Sequence, residues 1–84
     1  MHSLSRIELR FLLRVCGYSQ AHFARYIHRS PAFVSDLCQA YDVPVPFRWA
    51  EKAFEMIGAR VYDDALAQAR VRVETIRGKR TLTR

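Results

Sequence analysis

The chain has no apolar run approaching the length of a membrane span, and its opening residues MHSLSRIELR lack the apolar core of a secretion signal. The expectation is a cytoplasmic protein that does not cross a membrane. Cysteine is scarce: Cys16 and Cys38 are the only two, and they form no C-x-x-C pair. Both fall within apolar helical runs, which points to buried, reduced thiols acting as small hydrophobes. A redox switch between them would require their Cα atoms to lie within about 7 Å. Catalytic constellations are missing as well. Cys16, His22, His28, Ser35 and Asp36 supply reactive residue types, yet no pair has the spacing of a nucleophile and its base. No His, Cys or acid cluster has metal-ligand spacing. Neither enzymatic activity nor a cofactor is expected. Eighty-four residues provide a core for one small domain and leave no room for a second.

Acidic residues are the minority. Fourteen Lys and Arg against eight Asp and Glu leave a net charge of +6, with a pI near 10.0, which favours a polyanionic partner such as nucleic acid. The charge is uneven. Residues 1–40 carry five arginines against Glu8 and Asp36, residues 41–64 carry three bases against five acids, and residues 65–84 carry six bases against Glu74. Two basic segments therefore flank an acidic middle.

Hydrophobic spacing is helical throughout, predicting an all-α bundle of four to five helices. Ser5 with Glu8 three residues on is a capping box, and the run behind it is apolar at Ile7, Leu9, Phe11, Leu12, Leu13, Val15 and Cys16. Arg6, Arg10 and Arg14 recur every four residues on one solvent face, either solvating the helix or reaching phosphates. Gly17 ends this helix and Ser19 caps the next. Farther on, Tyr41-Asp42-Val43-Pro44-Val45-Pro46 reads as a stiff extended connector, because each proline holds its predecessor out of the helical region. A fourth helix follows over Phe47 to Ile57, with Trp49, Ala50, Ala53, Phe54 and Ile57 inward and Gly58 as a left-handed cap. A fifth is expected over Asp64 to Arg77 with Asp63 as its N-cap. Residues 1–77 then form the domain, and 78–84, GKRTLTR, a basic tail without periodicity. Lys79 and Arg80 in that tail either follow a DNA backbone or belong to a frayed end. The helical spacing of Phe11, Phe23, Trp49 and Phe54 assigns them to the core rather than to base stacking.

The most informative stretch is Gln20 to Gln39, QAHFARYIHRSPAFVSDLCQ. Phe23, Ala24 and Ile27 share one helix face, and Ala24 is small enough for a second helix to cross closely. His28-Arg29-Ser30 forms a turn. Ser30 then caps a second helix with Pro31 in its first turn, and Val34 and Leu37 face inward. With Gln20 opening it, Ala24 four residues later, a turn after Ile27 and Val34-Ser35 ahead of Leu37, the run resembles the helix-turn-helix of the phage Cro and repressor family. It departs from the family at His28, where glycine is usual, and at Arg29, where an aliphatic residue is usual. His28 is therefore expected in the left-handed region, at a cost of roughly 1 kcal/mol.

The resemblance implies a DNA-binding regulator whose second helix enters the major groove. Matched by position, the implied base-edge readers are Ser30, Pro31, Ala32, Phe33, Ser35, Asp36 and Gln39, a set without Arg or Lys. Specificity would then rest on Gln39 hydrogen bonding, on apolar contact of Pro31, Ala32 or Phe33 with thymine methyls, and on Asp36 accepting from cytosine. Alternatively Asp36 pairs with Arg29 or Arg25 inside the protein. Phosphate contacts fall to Gln20, His22, Arg25, Arg29, Arg48 and Lys52. One such module reads few base pairs, so a homodimer through helices four and five is expected on a palindromic double-stranded operator, the pattern of a small autorepressor. Two rivals stand beside this reading. One is a protein–protein interaction module on the same scaffold, consistent with the absence of Arg and Lys from the second helix of the pair; the other is RNA binding through the arginine-rich end.

Overall fold

The computed structural model describes residues 4–39 and 43–82, with residues 77–82 described through their backbone alone. Five helices follow one another: α1 (Arg6–Cys16), α2 (Gln20–Tyr26), α3 (Pro31–Leu37), α4 (Phe47–Ile57) and α5 (Ala59–Leu82). The all-α bundle expected from the spacing is the fold found, and no strand is present among the described residues.

Each of the first three helices starts where a hydroxyl satisfies a free N–H. Ser5 Oγ accepts from the Glu8 N–H at 3.2 Å, and Glu8 Oε1 accepts from the Ser5 N–H at 2.9 Å, completing the capping box. Ser19 Oγ accepts from the His22 N–H at 3.0 Å and Ser30 Oγ from the Phe33 N–H at 3.1 Å. Terminations are equally local. Gly17 lies at φ 79°, ψ 19°, with its N–H donating to the Arg14 carbonyl and that of Tyr18 to the Leu13 carbonyl. His28 repeats this closure without being glycine. It adopts φ 58°, donates to the Arg25 carbonyl at 3.2 Å, and lets the Arg29 N–H reach the Ala24 carbonyl at 2.9 Å. This is a Schellman closure in which bonds to two otherwise orphaned carbonyls outweigh the left-handed strain.

The core is built from Leu9, Leu12 and Leu13 of α1, Phe23 and Ala24 of α2, Val34 and Leu37 of α3, Ala50 and Ala53 of α4, and Tyr62, Ala65, Ala69 and Val73 of α5. α1 packs along α5, and α2 packs on α3. Leu4 and Val45 are buried where two distant segments meet. The Val45 N–H donates to the Leu4 carbonyl at 2.7 Å and the Arg6 N–H to the Val43 carbonyl at 2.9 Å, so Ser5 and Pro44 form an antiparallel bridge. The connector expected at 41–46 is thus extended over its described part, residues 43–46, and tied to the start of α1; residues 41 and 42 lie outside the described residues.

α4 spans Phe47–Ile57 as expected, but the junction after it and the start of α5 depart from expectation. α5 begins at Ala59, not Asp64, because Gly58 ends α4 and starts α5 at a single residue. Its N–H donates to the Phe54 carbonyl at 2.9 Å, and its own carbonyl accepts from Val61 and Tyr62 at 3.2 and 3.0 Å. Asp63 therefore sits inside the helix instead of capping it. Gly58 adopts φ 96°, ψ 140°, positive in φ but outside the left-handed helical cap expected of it. The backbone of α5 also continues through Gly78 to Leu82, so the stretch expected to lack structure is helical as far as it is described. Residues 83 and 84 lie outside the described residues, as do the side chains of Lys79 and Arg80.

Gly58 gives a direct prediction. A Cβ there would meet nothing within 4 Å, so Gly58→Ala is penalised through the backbone alone. Holding a non-glycine residue in that region costs about 1–3 kcal/mol. The expected result is a melting temperature lowered by several degrees with the helical circular dichroism of the folded state retained.

Candidate nucleic-acid interface

The outward face of α3 follows from the residues that α3 buries. Val34, Leu37 and Cys38 point into the core, so Pro31, Ala32, Ser35, Asp36 and Gln39 are left exposed, with Ser30 at their head. Six of the seven residues implied as base readers share this solvent-facing surface. Phe33 does not. It is half-buried, with its ring edge-on to Trp49 at 5.4 Å between centroids, and it forms the margin where α3 meets α4.

Asp36 is not held by the internal ion pair expected of it. Its Oδ1 accepts from Gln39 Nε2 at 3.1 Å, one turn along from α3. Among the described residues neither Arg25 nor Arg29 forms an ion pair with it, which corrects the expected internal pair. Arg29 turns instead toward the aromatic rings, its guanidinium carbon lying 5.6 Å from the Phe33 centroid and 5.3 Å from that of Trp49. Arg6, half-buried, donates from Nη1 to the Asp36 carbonyl at 3.3 Å and so places a cation beside the C-terminal end of α3. A positive charge there complements the negative end of the helix dipole. Arg6 and Arg10 are half-buried and Arg14 is exposed over the Phe11 ring at 5.8 Å, so the three do not form the single solvent face expected of them.

Of the phosphate candidates, Gln20 is half-buried in the first turn of α2, while His22, Arg25, Arg29, Arg48 and Lys52 are exposed. His22 stacks on Tyr18 at 4.9 Å. The Arg48 guanidinium carbon lies 5.6 Å from the Trp49 centroid. Lys52 is drawn to Glu55, 3.4 Å away, and Glu55 Oε1 also accepts from Tyr26 Oη at 3.3 Å. Lys52 therefore sits in a small network tying α2 to α4. Such exposed pairs contribute little to stability, typically under about 1 kcal/mol.

Three side-chain roles escape the sequence reading. Arg6 lies on a helix whose arginines read as solvating it or reaching phosphates, with no signal of the contact to the Asp36 carbonyl. Trp49 has the spacing of a core residue, yet it is only half-buried and carries two arginines on its ring. Glu8 closes the capping box through Oε1 and also receives Arg70 Nε on Oε2 at 3.2 Å, which clamps α5 to α1. Only the capping half of that role has a signal within a few residues.

Cys38 is buried at the C-terminal end of α3, beneath its outward face. Burial pushes its thiol up from 9.0 to about 11, with Arg10 and Arg6 offsetting part of that rise. A thiol whose folded value is raised stabilises the fold fully below its unfolded value and loses that contribution as pH climbs toward the folded one. The expected outcome is a denaturation midpoint that falls between about pH 9 and 11 more steeply in the wild type than in Cys38→Ala, measured by urea titration at each pH. Cys16 is half-buried, and both thiols are free.

Among the described residues no group of His, Cys, Asp and Glu is arranged to hold a metal ion, and no helix is long and apolar enough to cross a membrane. Comparison with family models, curated proteins and solved structures finds no match.

Proposed function

We propose that the chain is a sequence-specific double-stranded DNA-binding regulator of the phage Cro and repressor type, acting as a homodimeric repressor on an inverted-repeat operator. The observation that carries the reading is the exposed face of α3, formed by Pro31, Ala32, Ser35 and Asp36 with Ser30 and Gln39 at its ends and flanked by Arg6, Arg29 and Arg48. A short helix with a polar, small-residue face suits the major groove, whose base edges it can approach closely. The surrounding cations suit the phosphates on either side. In this reading α2 and α3 are the two helices of the motif, and the Asp36–Gln39 pair presents a fixed donor and acceptor set to the bases. Ala32 and Pro31 offer apolar surface to thymine methyls.

Dimerisation through α4 and α5 draws support from two valines of α5. Val61 and Val71 are 51% and 66% exposed, two large apolar side chains on the outward surface of α5. Two copies related by a two-fold axis would set their α3 helices about 34 Å apart, one turn of DNA. Repression by occupying the operator follows as the simplest mode of action.

Anisotropy titrations with labelled duplex across a salt series test this reading. Affinity should fall steeply with salt, since each neutralised phosphate contributes about 0.9 to the logarithmic slope. Sedimentation should show two copies per duplex site. Salt-insensitive or absent binding would turn the assignment toward a protein partner, and a monomer both free and on DNA would remove the dimeric operator.

A further inference from the structure

We propose that Trp49 is a positioning residue for phosphate binding, its indole holding the Arg29 and Arg48 guanidiniums in place for one stretch of the DNA backbone. The proposal rests on the DNA reading above. Arg29 comes from the turn before α3 and Arg48 from the first turn of α4, so the two cations belong to separate elements, and both lie against this ring. Their guanidinium carbons lie 5.3 and 5.6 Å from the indole centroid. Phe33 braces the indole edge-on and also receives Arg29. Arg29 is further fixed at its backbone by the bond to the Ala24 carbonyl.

The chemistry separates this arrangement from an ion pair. A carboxylate partner would hold an arginine still but would occupy its N–H donors and cancel its charge. Attraction to an aromatic ring orders the side chain while keeping both available. Among the described residues neither Arg29 nor Arg48 is within ion-pair distance of an acid, and both are exposed. A free arginine loses much of its rotamer entropy on docking to a phosphate, and ordering before contact reduces that loss. The ligand that fits two fixed, uncancelled cations beside the first turn of α3 is the phosphodiester backbone next to the groove that α3 enters.

A double-mutant cycle on duplex affinity tests the proposal, with each variant first checked by thermal melting. Trp49→Leu keeps an apolar side chain and removes the ring, and it should weaken binding about five- to tenfold in the wild-type background. In the Arg29→Gln/Arg48→Gln background the same change should cost less than about twofold, because the groups it positions are gone. Trp49→Phe should restore most of the affinity. Equal losses in both backgrounds, or no loss in either, would overturn the positioning role and leave Trp49 as packing. A wild-type protein that binds no duplex at any salt concentration would instead bring down the DNA reading itself. If Trp49→Leu melts below the assay temperature, iodide quenching of Trp49, the sole tryptophan, reads the same geometry in the unaltered protein. Saturating duplex should shield it, and quenching unchanged by duplex would overturn the proposal.

Discussion

Ser35→Glu is expected to weaken duplex binding at least about 100-fold while shifting the melting temperature by no more than a degree or two. Ser35 is exposed at the centre of the outward face of α3, and among the described residues its side chain makes no hydrogen bond that the fold would miss. A surface substitution of that kind changes stability by about 0.5 kcal/mol or less. On the DNA reading, however, it drives a carboxylate into a groove lined by phosphates, next to Asp36, and like-charge juxtaposition at a closed interface costs several kcal/mol. The contrast between an intact melting curve and lost binding separates an interface effect from unfolding. Binding within a few-fold of wild type would mean that α3 does not face the duplex.

Phe23→Ala is expected to lower the unfolding free energy by about 3–5 kcal/mol, the cost of truncating a buried phenylalanine and leaving a cavity behind. Phe23 is fully buried and is the largest of the wholly enclosed side chains. Because small domains are stable by only about 5–15 kcal/mol, the loss is a large share of the total. For a domain of this size each kcal/mol moves the melting temperature by about 4–8 °C, so a fall of about 12 °C or more is expected by calorimetry. A shift under about 5 °C would show that the core collapses around the gap and that Phe23 does not anchor it.

Much of the helical framework was legible because its signals act within three or four residues. Ser5 with Glu8, Ser19, Ser30 with Pro31, and Gly17 each mark a helix end through a bond to a near neighbour, and the inward residues of α1 to α4 follow from helical spacing. His28 in the left-handed region was legible from the resemblance, which puts glycine at that position. The start of α5 was not. Asp63 is a good capping residue by type, but the free carbonyl of Gly58 had already begun the helix more than a turn earlier, where only the backbone geometry reveals it. The surroundings of α3 were hidden for a different reason. Arg6 meets the Asp36 carbonyl across thirty positions and Arg70 meets Glu8 across sixty-two, so neither contact leaves a trace in local spacing. Arg29 could be assigned to Asp36 by charge, yet it lies against Phe33 and Trp49, rings whose proximity depends on how α4 docks on α3. The outward face of α3 was the readable part of the candidate site, because it is what remains once Val34 and Leu37 turn inward.

Selection of bound sequences from a pool of random duplexes, read by sequencing, tests the central claim most directly. The account predicts an enriched inverted repeat whose half-site centres lie about 34 Å apart, with enrichment lost in Ser35→Glu. A pool that stays random after repeated rounds at moderate salt would contradict sequence-specific recognition by α3.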